Sequence, residues 1–69
     1  MQWGKREIFQ FRKRLEMSQH EFAEFLRTRQ STISDWESGV RIPSPMAQRL
    51  LSVLKELEEL KAEATKKSE

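Results

Sequence analysis

The chain has only four backbone breakers, Gly4, Gly39, Pro43 and Pro45, and they fall at the start and within the stretch 39–45. Glycine and proline are the strongest local interruptions of regular structure, so the rest of the chain is free to be helical. Ile8, Phe11 and Leu15 recur at spacings of three and four, which puts them on one face of a first helix, with Arg12, Lys13 and Arg14 around the others. Ser18 followed by Glu21 is a capping-box pattern and starts a second helix at Gln19. That helix carries Phe22, Ala23, Phe25 and Leu26 and stops at the polar stretch Arg27-Thr28-Arg29-Gln30. A third helix fits Gln30 to Ser38, with Ile33 and Trp36 inward and Gly39 supplying a left-handed cap. Ser44 is a good N-cap with Pro45 at the first helical position, where its missing N–H is no loss, and the pattern then runs past Leu60. No strand alternation and no fixed repeat interrupts this pattern, so the fold class is all-α.

At 69 residues the chain makes one domain with a small core, expected over residues 1–64, with a motif at 18–39. Residues 65–69 lack an apolar anchor and are expected to be a disordered tail. There is no cysteine and one histidine, which leaves no disulfide framework and no metal cage, so packing alone must hold the fold. No cofactor, metal or small-molecule substrate is expected. An enzyme is not expected either, because His20 stands near Ser18 without a third orienting group, and Ser18 already has a cap to make.

The net charge of +2 does not by itself identify a polyanion binder, but its distribution is uneven. Residues 1–43 hold eight basic groups against six acids, whereas 44–69 hold five of each, so any polyanion footprint lies in the first part. No apolar run approaches the roughly 20 residues that span a bilayer, and the N-terminus lacks the apolar stretch of a signal peptide, so the expected setting is the cytoplasm, away from membranes.

Two short helices joined by a tight turn are a poor core but an effective way to present a rod of side chains to the major groove, which is about 12 Å wide. Met17-Ser18-Gln19-His20-Glu21-Phe22-Ala23-Glu24-Phe25-Leu26, then Gln30-Ser31-Thr32-Ile33-Ser34-Asp35-Trp36-Glu37-Ser38-Gly39, resembles the phage repressor and Cro (XRE-family) helix-turn-helix domains. The resemblance continues through Arg41, Pro43-Ser44 and Leu50, Leu51 and Leu54, covering roughly residues 7–57. It implies a compact, lambda-repressor-like bundle of four or five helices that binds double-stranded DNA, with the C-terminal helix extended here. It also implies transcription regulation, as a repressor or an antitoxin-like autoregulator.

Matched residue by residue, Gln19 resembles the residue at the start of the second helix that contacts phosphate through its side chain and the helix-terminal amides. Gln30, Ser31, Ser34 and Asp35 would face base edges. Gln30 can bond adenine N6 and N7, the serines most bases, and Asp35 cytosine N4. Asp35 could equally be a surface acid paired with Arg27 or Arg29. Arg27, Arg29, Thr32 and Arg41 surround the recognition helix and would contact phosphates. Arg12 and Glu37 look like the family's structural ion pair between the first helix and the end of the third.

The sequence departs from the family at the turn. Arg27 stands where glycine is usual, and Thr28 and Arg29 replace a small apolar residue and a capping residue. A left-handed arginine costs roughly 1 kcal/mol, so the turn is expected either to differ or to be compensated.

Leu50, Val53, Leu57, Leu60 and Ala64 alternate at spacings of three and four, a heptad seam, while Leu51 and Leu54 lie beside it toward the core. The seam could meet a second copy, which suits two-fold operators with half-sites about one helical turn apart. It could also meet a toxin or another protein, or simply end a helix that covers the core. A module that keeps the fold and binds protein through this helix is the alternative to DNA binding.

Overall fold

In a computed structural model, residues 3–67 are described, with side chains through residue 63. The chain forms four helices: α1 (Lys5–Arg14), α2 (Gln19–Leu26), α3 (Gln30–Ser38) and α4 (Pro45–Lys67). Among the described residues there is no strand.

The boundaries follow from local chemistry. At the start of α1 the Gly4 amide donates to the Glu7 carboxylate at 3.0 Å. At α2 the box is complete: Ser18 Oγ accepts from the Glu21 amide at 3.1 Å, and the Ser18 amide donates to Glu21 Oε1 at 2.8 Å. The Ser18 amide first, and the Ser18 hydroxyl second, hydrogen-bond the Glu21 carboxylate and hold it below its ordinary pKa. At α4, Ser44 Oγ accepts from the Ala47 amide at 3.2 Å. The α4 helix continues to Lys67, so residues 65–67 of the expected tail extend the helix, while 68 and 69 lie outside the described residues.

The turn between α2 and α3 takes the left-handed geometry in spite of its side chain, with Arg27 at φ 60° and ψ 45°. The Thr28 amide bonds the Ala23 carbonyl at 2.8 Å and the Arg27 amide bonds that of Glu24 at 3.1 Å. These are the two bonds of a Schellman closure, and they offset the steric cost that glycine would avoid. The same closure ends α1, where Glu16 is left-handed at φ 57°, Met17 donates to Arg12 O and Glu16 to Lys13 O. Nothing in the residue pattern signals that second left-handed position. Gly39, at φ 84°, ends α3 as expected.

The core is Ile8 and Phe11 from α1, Phe22, Ala23 and Leu26 from α2, Ile33 and Trp36 from α3, Leu51 from α4, and Trp3. Phe22 stands edge-on to Phe11 with centroids 5.9 Å apart, a favoured aromatic arrangement. Trp3 lies outside the periodic apolar pattern, yet it is only 3% exposed. Its ring packs 5.4 Å from Phe11, its indole N–H donates to Ser52 Oγ at 2.9 Å, and its amide donates to Gln48 Oε1 at 3.2 Å. Trp3 is thereby pinned onto the first half of α4, and the indole's polar edge is satisfied as its burial requires.

Candidate nucleic-acid interface

The α3 helix divides its side chains cleanly. Ile33 and Trp36 are buried, while Gln30, Ser31 and Ser34 are exposed and Asp35 half-exposed on the other side. The offsets of one, four and five residues place these four on a single helix face, since neighbours on a helix surface stand three and four apart. A short rod of amide, hydroxyl and carboxylate groups therefore faces solvent, backed by an apolar wedge.

What fixes the rotation of α3 is the pair between Arg12 and Glu37. Arg12 Nε and Nη2 donate to the two carboxylate oxygens at 2.7 and 2.9 Å, and Nη1 donates to the Met17 carbonyl at 3.0 Å. Both side chains are nearly buried, so the fork geometry and its third bond are what make the burial tolerable. Burial alone would raise the Glu37 pKa, but the hydrogen bonds from Arg12 and Gln19 and the charges of Arg12 and Lys13 outweigh it and hold it below the usual carboxylate range. The Glu37 hydrogen bond likewise pushes the Arg12 guanidinium up, against desolvation.

Gln19 is tied into this pair. Its Nε2 donates to Glu37 Oε1 at 3.1 Å. An amide nitrogen carries two hydrogens, so one is spent orienting the side chain and one is left at the start of α2. Asp35 has a different partner from those expected: Arg41, not Arg27 or Arg29, lies at 3.7 Å from its carboxylate, and the Arg41 amide donates to the Asp35 carbonyl at 3.1 Å. The left-handed Arg27 ends α2 and Arg29 precedes α3, whereas the chain after Gly39 folds back along α3, and that return brings Arg41 to Asp35. Arg27, Arg29 and Arg41 are exposed, and Thr32, half-buried, lines a groove with Thr28 and Arg41. Arg29 precedes α3 without any side-chain capping bond, so the first amides of that helix carry no side-chain acceptor from the cap.

A helix-turn-helix family model matches residues 8–60, which span the N-caps of α2, α3 and α4, the turn and the exposed face of α3. The chain belongs to this helix-turn-helix family. It is a domain of the Cro and repressor type, a DNA-binding regulatory class. No curated protein and no solved structure matches the chain. In this helix-turn-helix domain, α2 and α3 are the motif's two helices and α1 is locked to α3 by Arg12 and Glu37. Among the described residues no group of three or more His, Asp or Glu could hold a metal ion, and no helix is long and apolar enough to cross a membrane.

Four seam residues of α4 are open to solvent: Leu50, Val53, Leu57 and Leu60 are 41% to 53% exposed, whereas Leu51 is fully buried and Leu54 packs on the core. Ala64, the last seam position, lies outside the described side chains.

Proposed function

We propose that this helix-turn-helix domain binds double-stranded DNA with sequence preference and regulates transcription, as a repressor or an antitoxin-like autoregulator in the cytoplasm. The observation that carries this reading is the exposed face of α3, on which Gln30, Ser31 and Ser34 stand without a packing role. Gln30 bonds an adenine edge, the serines bond neighbouring bases, and Asp35, already near Arg41, accepts from cytosine where the register brings one. Gln19, Arg27, Arg29, Thr32 and Arg41 hold the phosphates. Anisotropy titration against duplexes enriched from a random pool tests it. Gln30→Ala is expected to relax preference at one position by about 1–3 kcal/mol, whereas Arg29→Ala weakens all sequences alike. No enrichment together with a flat salt response would sink the reading and favour a protein-binding module.

A second reading concerns assembly. The exposed stripe of α4 supports a two-fold dimer in which Leu50, Val53, Leu57 and Leu60 meet their copies. In a parallel pairing the flanking positions place Glu56 opposite Lys61 of the second copy, an attractive combination. Light scattering of the wild type and of Leu57→Ala/Leu60→Ala tests this. A monomeric mass for the wild type removes the dimer and leaves the stripe to a toxin or another protein.

A further inference from the structure

An open concavity of about 460 Å³ lies between the first turns of α1 and the outer side of α3, where Lys5, Arg6 and Phe9 meet Gln19, Ser34 and Glu37. We infer that it is a phosphodiester-binding subsite, through which Lys5 and Arg6 of α1 hold the DNA backbone beside the groove that α3 enters. The inference rests on the DNA-binding reading and adds to it a wall contributed by residues that precede the matched stretch 8–60.

Four observations carry it. Lys5 and Arg6 are exposed and line the concavity, and the ion pairs of the described residues include neither of them, so no carboxylate neutralises either charge. The one acid present, Glu37, is spent: Arg12 holds both of its oxygens and Gln19 bonds one of them, which leaves little field to repel an anion. The remaining N–H of Gln19 is an uncharged donor suited to a phosphate oxygen, while Ser38 already donates to the Asp35 carbonyl. Ser34 belongs both to this concavity and to the exposed face of α3, so the ligand that fills it is one that runs along α3, as the backbone flanking a major groove does.

Two further features shape the subsite. Phe9 is 47% exposed, with Arg12 at 5.3 Å and Lys13 at 6.0 Å from its ring centroid, and its apolar face is a surface for deoxyribose. The Lys5 side chain crosses the end of α3, its Cδ 3.4 Å and its Nζ 3.9 Å from where a Cβ on Gly39 would stand. Its ammonium there also complements the negative end of the α3 dipole, which holds it in place before any ligand arrives.

Lys5→Met/Arg6→Gln keeps the stems and removes both charges. Anisotropy titration with duplex DNA across a salt series compares it with the wild type and with Lys55→Met, a lysine that lines a separate surface with Arg14. The log–log salt slope of the double variant is expected to fall by about one to two, one for each phosphate no longer neutralised, with base preference unchanged. Lys5→Arg/Arg6→Lys should restore the wild-type slope, and Arg6→Gln alone should produce about half of the fall. A wild-type slope in the double variant overturns the subsite even if its melting temperature falls, because Lys5 then only complements the end of α3. An equal drop from Lys55→Met overturns it too, as a general charge effect. If the wild type itself binds no duplex DNA, the DNA reading fails and the subsite with it.

Discussion

The α3 helix and the second half of α4 are opposite in what makes them helical. The α3 segment, Gln-Ser-Thr-Ile-Ser-Asp-Trp-Glu-Ser, is rich in residues that compete with or crowd a helical backbone, and Arg29 before it provides no side-chain cap. From Lys55 onward α4 reads Lys-Glu-Leu-Glu-Glu-Leu-Lys-Ala-Glu, strong helix formers throughout, with Lys61 3.6 Å from Glu58 one turn away. One helix is imposed by its neighbours through Ile33, Trp36 and Glu37; the other is helical on its own account and buries little. The difference follows the division of labour in the fold. A surface chosen for short polar side chains that can reach base edges is a poor helix sequence, so its geometry must be supplied by packing and by the Arg12 fork.

The largest expected effect comes from removing that packing. Trp36→Ala should destabilise the domain by about 3–5 kcal/mol, a large share of the roughly 3–10 kcal/mol available to a chain of this size. Chemical denaturation followed by circular dichroism would measure it, and a loss under about 1 kcal/mol would mean that α3 does not depend on its buried face.

Glu37→Gln comes next, because it leaves the Arg12 charge nearly buried without a counter-charge, at a cost of about 3 kcal/mol. It also carries a pH signature. The folded-state pKa of Glu37 is lowered, so its contribution to stability is fully present above the ordinary carboxylate range and is lost as pH falls through the lowered folded value. Glu21 acts with the same sign, more weakly because it is exposed. Melting temperature should therefore hold between pH 7 and about 5 and fall in more acid solution, with the fall shallower in Glu37→Gln. Equal acid slopes in the two proteins would remove Glu37 as the titrating group.

Arg27→Gly relieves a left-handed side chain and should stabilise the turn by up to about 1 kcal/mol, offset in part by the freer unfolded chain. If Arg27 holds a phosphate, the same variant should bind DNA less tightly although it melts higher. The smallest effect on monomer stability belongs to Leu57→Ala/Leu60→Ala, within about 0.5 kcal/mol per site for exposed positions. A much larger loss in dilute solution would show that the second half of α4 is not autonomous.

Much of this architecture is legible in the chain alone, and particular residues show why. Ser18, Gly39, Ser44 and Pro45 fix helix ends through chemistry confined to a few neighbours, and the spacing of Ile8, Phe11, Phe22, Ile33 and Trp36 assigns the buried faces. The exposed face of α3 follows from the same periodicity, which is why Gln30, Ser31 and Ser34 emerge as a group. Trp3 does not, because it lies before the first periodic residue and finds its partners, Gln48 and Ser52, more than forty positions away.

Local residue order thus dictates where the helices begin and end, which sides are apolar, and that a short polar helix follows a tight turn. Three-dimensional closure alone turns Asp35 to Arg41, commits one Gln19 hydrogen to Glu37, and stands Lys5 and Arg6 beside Ser34. The division is one of range: caps and periodicity act within about one or two turns of backbone, whereas these pairings depend on how α1 and the chain after Gly39 close around α3.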